Sequence, residues 1–186
     1  MKSVPVVLAL LLMVVTSPLF FLVTSCSDEL VIHDIWFDSQ GGSDVATVIV
    51  VDGQIMNEPA HPMRNGYLFG GWYEESDCVN EWDFATDAVE SDMTLYAKWI
   101  AEDYLVTLDK QGGSGGSDSI IATYDSKMPS ATAPIKTGYV FNGYYDQNDG
   151  GGIQYYPSTM ESSKDWDKIS DTTLYAKWTA GNYIVT

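Results

Sequence analysis

The feature that most constrains the fold of this 186-residue chain is an internal repeat. The stretch GYLFGGWY at residues 66–73 returns as GYVFNGYY at 138–145, and SDMTLYAKW at 91–99 returns as SDTTLYAKW at 170–178. Each copy is about 70 residues long, which suits a small module and is too short for a large single core. The sequence therefore predicts two similar modules in tandem.

The spacing of the repeated motifs sets the expected boundaries. Module 1 is assigned to residues 31–101 and module 2 to 102–180, and residues 181–186 match the opening strand of a module, so they are expected to begin a third, truncated repeat. The distance between motifs grows by seven residues in the second copy, which predicts an insertion around 146–165. Three consecutive glycines there, 150–152, indicate a loop.

Within each module the pattern favours β structure. Short apolar stretches are separated by glycine and proline, and no segment keeps a helical period for three turns, so at most a short helical turn near Met56 or Met128 is expected. Strict alternation would place Tyr67 and Phe69 on one face of a strand and Trp72 on the other. Strands are predicted at 35–37, 46–51, 67–73, 94–99, 105–108, 120–124 and 139–145.

The N-terminus has the features of an export signal. Lys2 precedes an apolar stretch over residues 4–23, and small residues lead to Cys26. Val23-Thr24-Ser25-Cys26 resembles the lipobox of bacterial lipoproteins, which implies cleavage before Cys26 and acylation of its thiol. Residues 1–25 are then a lipoprotein signal peptide and 26–30 an acidic tether. An uncleaved membrane anchor is the alternative, because the stretch is about long enough to span a bilayer.

Charge and cysteine content exclude several function classes. The chain has 9 basic and 26 acidic side chains, a net charge of −17, which argues against nucleic-acid binding because phosphates require clustered Lys and Arg. With Cys26 acylated, Cys78 has no partner in the chain. A half-buried loop thiol is the main expectation for Cys78, and an intermolecular disulfide or a reactive thiol is the alternative.

Few side chains are arranged for catalysis or metal binding. His33 and His61 lack any zinc motif and are expected to be ordinary surface residues. Residues 146–150 begin like a calcium loop, but Gly150 and Pro157 occupy positions where such a loop needs an oxygen ligand, so a solvated turn is expected. Acidic pairs can cleave glycosides, yet nothing indicates a cleft between them. No cofactor, no metal and no enzymatic activity are predicted.

The repeated motifs carry a family signature. The pattern G-Y-x-F-x-G-W-Y, then W-D-F, then S-D-x-T-L-Y-A-K-W resembles the Listeria–Bacteroides repeat, the internalin B-repeat family; module 2 departs from it with Tyr144 for Trp and Trp166-Asp167-Lys168 for W-D-F. The resemblance implies a small β-grasp-like module on bacterial surface proteins, without catalysis. The signature residues expected in the core are Tyr67, Phe69, Trp72, Leu95, Trp99, Tyr139, Phe141, Leu174 and Trp178.

Two functions are compatible with these observations. The first is a lipid-anchored, monomeric bacterial surface protein whose repeats serve as spacer, adhesion or binding modules for a host or cell-surface protein or glycan. The second is a carbohydrate-binding or polysaccharide-handling surface lipoprotein, in which Trp72, Tyr73 and Trp82 stack on sugar rings. The alternating strand pattern favours the first, because it places most of these rings in the core.

Overall fold

The computed structural model describes the backbone of residues 2–5 and the whole of residues 29–182. Within these ranges the chain forms strands and one short 3-10 turn, and neither Met56 nor Met128 lies in a helix. The elements are β1 (Lys2–Pro5), β2 (Glu29–Asp38), β3 (Val48–Val51), β4 (Tyr67–Tyr73), β5 (Met93–Ala101), β6 (Asp103–Asp109), β7 (Ser119–Thr123), β8 (Tyr139–Gln147), the 3-10 turn η1 (Asn148–Gly150), β9 (Gly151–Tyr156) and β10 (Thr172–Ala180).

The chain divides into two compact units. The first comprises Met1–Pro62 and Phe69–Lys98, and the second comprises Met63–Leu68 and Trp99–Thr186. The short segment 63–68, which the repeat assigns to module 1, therefore packs within the second unit. The mostly β architecture expected from the sequence is confirmed, with one sheet for each copy of the repeat.

Each sheet pairs the first strand of its module with the last in parallel. In the first sheet β2 lies parallel to β5 and antiparallel to β3 and β1, and β4 lies beside β5. In the second sheet the order is β7-β6-β10-β8-β9, with β6 parallel to β10. Parallel neighbours cannot be joined by a hairpin, so the middle of each module crosses over the sheet between them.

The aromatic signature residues do not alternate as the sequence predicts. Phe69 and Trp72 were expected on opposite faces of β4, but their rings pack together with centroids 5.4 Å apart. The reason is Gly71, whose φ of +106° introduces a bulge that shifts the following side chains to the other face. Gly143 repeats this in β8 with a φ of +114°, and the register against β10 shifts by one residue at that point.

The insertion in module 2 is also more ordered than expected. Residues 148–150 form the short turn η1, and the three glycines then lead into β9, which pairs antiparallel with β8. β9 contributes Tyr155 and Tyr156 to the core, and both are fully buried. A loop was predicted here because glycines usually mark turns, whereas the aromatic pair that follows them is what secures the strand.

The burial of the signature residues varies with their position. Trp72, Leu95 and Leu174 are buried, whereas Tyr67, Phe69, Trp99, Phe141 and Trp178 are half-buried. Tyr139 was expected in the core, but 47% of its side chain is exposed. The core of the second unit is a cluster that has Tyr144, Tyr155, Tyr156, Trp166 and Leu174 among its members.

Candidate functional site

The signature aspartates connect the two ends of each module. Asp92 Oδ1 accepts a hydrogen bond from the Asp34 backbone N–H at 3.0 Å, and Asp171 Oδ1 accepts one from Leu105 N–H at 2.8 Å. The Asp34 N–H holds the pKa of Asp92 below its usual value. The same bond in both copies shows that the Ser-Asp motif joins the start of the last strand to the first strand.

A basic side chain lies against signature aromatic rings in each copy. The Arg64 guanidinium lies 4.2 Å from the Tyr67 ring centroid and 6.0 Å from that of Trp99. At the matching position of module 2, the Lys136 ammonium lies 4.7 Å from Tyr139 and 5.8 Å from Trp178. These distances suit cation–π contacts. The signal in the sequence was a basic residue two positions before the repeated Gly-Tyr pair.

This arrangement explains why Trp99, Trp178 and Tyr139 are not fully buried. Their rings cover the stem and the charge of a basic residue at the border of the core. Trp178 also packs on Phe141 at 5.4 Å, and its indole N–H donates to the Lys110 carbonyl at 2.9 Å. Trp99, Trp178 and Tyr139 are therefore structural residues, and each of their rings already has a cation partner within the chain.

The two Trp-Asp motifs do not occupy equivalent places. The backbone N–H of Trp82 donates to the backbone carbonyl of Trp72 in β4. In module 2, Tyr156 occupies the equivalent position opposite Tyr144. Trp166 is instead equivalent to Val89, because each exchanges the same two backbone hydrogen bonds with the segment after the module's second strand. The alignment of Trp82 with Trp166 was therefore wrong: the structural counterpart of Trp82 is Tyr156, and Trp166 lies further along the chain, at the position of Val89.

An open cleft lies on the outer face of the first sheet. Trp36 stands opposite Thr94 in the parallel β2–β5 pair, on the face away from the buried Ile35, and 44% of Trp36 is exposed. The cleft has a volume of about 550 Å³. Its charged and aromatic walls are Trp36, Glu74, Trp82, Glu90, Asp92 and Tyr96.

Two of the three carboxylates of this cleft have no basic partner among residues 29–182; the third, Asp92, lies 3.5 Å from Nδ1 of the buried His33. Among residues 29–182 no Lys or Arg lines the cleft, and neither Glu74 nor Glu90 has a salt-bridge partner there. Both side chains are exposed. The Trp82 side chain is buried, and its indole N–H has no hydrogen-bond partner among the described residues. The cleft is thus acidic and aromatic, and it is the strongest candidate for a binding site in the first unit.

Module 2 neutralises the equivalent carboxylates with its own lysines. Asp146 is equivalent to Glu74, and Lys168 Nζ lies 3.1 Å from its Oδ2. Asp167 is equivalent to Glu90, and it pairs with Lys164 and accepts a hydrogen bond from Tyr155. Both lysines lie over the Tyr155 ring, at 4.9 and 5.7 Å. Lys168 has no counterpart in module 1, because the segment between Val89 and Asp92 is two residues shorter than the matching segment between Trp166 and Asp171.

The matching family model is described as the Listeria-Bacteroides repeat domain, and it covers residues 33–98 and 104–177. This chain belongs to that family. The two matched segments are the two copies of the repeat, and each takes in the parallel strand pair and the signature aspartate described above.

Relatives of the repeat region occur in longer proteins. The chain is similar to a Gly-rich membrane protein of Evansella cellulosilytica, with 34% identity over 89% of the chain and 19% of that protein. It is also similar to internalin H of Listeria monocytogenes, with 37% identity over 77% of the chain and 24% of internalin H. The chain thus spans about a quarter or less of the length of these relatives.

His33 of the first repeat was expected at the surface, and that expectation is wrong. Only 2% of His33 is exposed; its Nε2 lies 2.9 Å from Asp52 Oδ1, and its Nδ1 lies 3.5 Å from Asp92 Oδ1. The side chain is buried because it points to the same side of β2 as Ile35. In the second repeat the aligned residue is Tyr104, so the buried histidine is not a shared feature of the repeats.

The remaining polar candidates of the repeats have local roles. His61 is exposed and pairs with Glu58 at 2.9 Å. Cys78 is a half-buried free thiol in the loop after β4. In the 146–150 segment, Asp146 accepts a hydrogen bond from Ile153 N–H at 2.7 Å in addition to its Lys168 contact. Within the described ranges, no three His, Cys, Asp or Glu side chains are grouped to hold a metal ion.

The expected lipidation site falls outside the described residues, as do residues 183–186 of the expected third repeat. Among residues 2–5 and 29–182, no helix is both long and apolar enough to cross a membrane.

Acid is expected to weaken the second repeat through Asp146. Burial raises the pKa of Asp146, but the Ile153 N–H and the Lys168 ammonium outweigh it, and the pKa lies below its usual value. The ionised carboxylate therefore adds stability above the unfolded-state pKa of about 3.9, and this is lost as pH falls through the lower folded value. Asp146→Asn should reduce the fall in the urea midpoint between about pH 5 and pH 2.

The control for this measurement is Glu161→Gln, which removes an exposed carboxylate of the same repeat. Its acid dependence should equal that of the wild type. An Asp146→Asn variant that loses as much stability in acid as the wild type would contradict the assignment.

Proposed function

We propose that this chain is a non-catalytic, lipid-anchored bacterial surface protein whose tandem repeats space or present a binding surface. The observation that carries the proposal is that the two repeats share a framework and no reactive group. They have in common the parallel strand pair, the bulges at Gly71 and Gly143, and the aspartate bonds of Asp92 and Asp171.

The polar groups that differ between the repeats support the absence of catalysis. His33 and Cys78 occur in one repeat only, and Asp167 and Asp146 of the second repeat are paired with Lys164 and Lys168. Catalysis requires a nucleophile or an acid–base pair held close to a substrate in a sheltered site. Turnover of an ester, peptide or glycoside that one substitution abolishes without unfolding the chain would contradict this part of the proposal.

The relatives support a place in the cell envelope. Two proteins of Evansella cellulosilytica are named as membrane proteins, and a third relative is an internalin. Carried over to this chain, the names agree with the export signal and with Cys26 as the attachment point. The surface role, its partners and its monomeric state are part of the proposal, since the chain spans between 19% and 26% of these relatives.

Sugar binding through the signature aromatics is the less favoured function. A stacking platform needs a row of exposed rings, but of the signature aromatics only Tyr139 is largely exposed, and Tyr139 lies against the Lys136 ammonium. Trp72 and Trp82, two of the rings considered for this role, are buried.

We expect Cys26 to be acylated, and a labelling experiment tests this anchor. Metabolic labelling of bacteria with a clickable palmitate analogue should tag the wild-type chain and leave Cys26→Ala untagged, because the thiol is the acyl acceptor. Cys78→Ala is the matched control and should be tagged like the wild type. Equal labelling of the wild type and Cys26→Ala would contradict the lipid anchor.

A further inference from the structure

We propose that the cleft of the first repeat binds the ammonium group of a lysine side chain on a partner protein. The inference rests on the proposed function, since it names the group that a non-catalytic binding surface would recognise. It concerns the acidic and aromatic cleft lined by Trp36, Glu74, Trp82, Glu90, Asp92 and Tyr96.

The walls of the cleft have the chemistry that a lysine requires. A lysine combines a long apolar stem with a compact charge, so it is recognised by aromatic rings together with carboxylates. Trp36 exposes 44% of its surface beside the cleft, and Glu74 and Glu90 are exposed and without a basic partner among residues 29–182. The volume of about 550 Å³ lies within the usual range of small-ligand sites, roughly 300–1,000 Å³.

The second repeat contains this same interaction within the chain. Where the first repeat has Glu74 and Glu90, the second has Asp146 and Asp167, and each of these is paired with a lysine ammonium. Those ammonium groups also lie over an aromatic ring. The carboxylate pair of this fold therefore accommodates lysine charges when they are present, and the first repeat keeps the pair without them.

The charge of the chain favours a cationic partner over a second copy of itself. With a net charge of −17, two copies repel each other, whereas a basic protein surface is attracted. An uncharged ligand would leave Glu74 and Glu90 without a counter-charge on binding. For this reason we favour a lysine over a neutral sugar, although both can stack on Trp36.

The test is a titration of the full chain, purified in a nonionic detergent, with Nα-acetyl-lysine methylamide. Backbone amide signals of Glu90 and Thr94 should shift and saturate, while Nα-acetyl-norleucine methylamide, which has a similar stem and no charge, should bind at least about fivefold more weakly. The equivalent segment of the second repeat, around Asp167, should not respond, because Lys164 and Lys168 already neutralise it.

The decisive variant is Ser91→Lys, which introduces an ammonium group into the wall of the cleft, between Glu90 and Asp92. It should satisfy Glu74 from within the chain and weaken binding of the lysine probe at least about fivefold. Ser130→Lys adds the same charge at an exposed site of the second repeat and should bind like the wild type. Trp36→Thr, which introduces the residue of the second repeat, should weaken binding to a similar extent.

The proposal would be overturned by the absence of a saturable shift with the lysine probe, by equal binding of the norleucine probe, or by wild-type binding by Ser91→Lys. Saturable binding of a neutral oligosaccharide at Glu90 and Thr94 with no response to lysine would also overturn it, in favour of sugar stacking. The outcome is independent of the palmitate labelling at Cys26, so failure here leaves the lipid anchor and the non-catalytic role standing.

Discussion

Trp166→Ala is expected to lower the free energy of unfolding of the second repeat by about 3–5 kcal/mol, the usual cost of removing a buried tryptophan. Trp166 is 1% exposed, packs on Tyr155 with ring centroids 5.2 Å apart, and belongs to the core cluster of the second unit. Since a small domain has a total stability of only about 5–15 kcal/mol, the loss should remove a large fraction of the stability of this repeat. Urea denaturation followed by the NMR signals of the second repeat measures it.

Ile135→Ala is the control for this truncation. Ile135 is also an apolar residue of the second repeat, but 71% of its side chain is exposed, so its loss should change stability by less than about 0.5 kcal/mol. A loss below about 1 kcal/mol in Trp166→Ala would contradict the burial of the ring.

Gly143→Ala is expected to destabilise the second repeat by about 3 kcal/mol or more, through backbone strain and a steric clash. Gly143 has a φ of +114°, a conformation that residues with a side chain rarely adopt, and a Cβ there would lie 2.1 Å from the Tyr156 carbonyl oxygen. Neither group can move without opening the β8–β9 pair. The urea midpoint of the second repeat should fall, with loss of the buried Tyr156 signals.

Gly138→Ala separates the two causes. Gly138 also has a positive φ, +83°, but a Cβ there meets no atom within 4 Å. It should therefore cost only about 1 kcal/mol, from backbone strain alone. Equal losses in the two variants would mean that the bulge at Gly143 has room for a side chain and that the β8–β9 pair is not tightly packed.

Local patterns were sufficient for much of the fold. The predicted strand at 67–73 agrees with β4, and the predictions at 35–37 and 105–108 fall within β2 and β6. These strands could be recognised because β-branched and aromatic residues end at glycine or proline turns, which are properties of neighbouring residues. The family could be recognised for the same reason, since its signature is a set of short contiguous motifs.

The face of the sheet on which each side chain lies was harder to predict from the sequence, because it depends on backbone dihedral angles that the motifs do not specify. Alternation assigned Phe69 and Trp72 to opposite faces, and one positive φ at Gly71 brought their rings together. His33 was assigned to the surface because histidine is usually exposed, but its position next to Asp52 and Asp92 depends on strand pairing between distant segments.

The sequence by itself determined that the chain has two copies of one β module, where most strands lie, and which family the modules belong to. Only the tertiary structure decided which residues are equivalent across the insertion, because Trp82 and Trp166 share a motif but pair with different strands. It also decided which carboxylates are neutralised. Asp146 meets Lys168 across 22 residues of chain, while Glu74 of the first repeat meets no lysine among the described residues. Such pairs depend on distances in space between segments that are far apart in sequence, and a repeat motif carries no information about them.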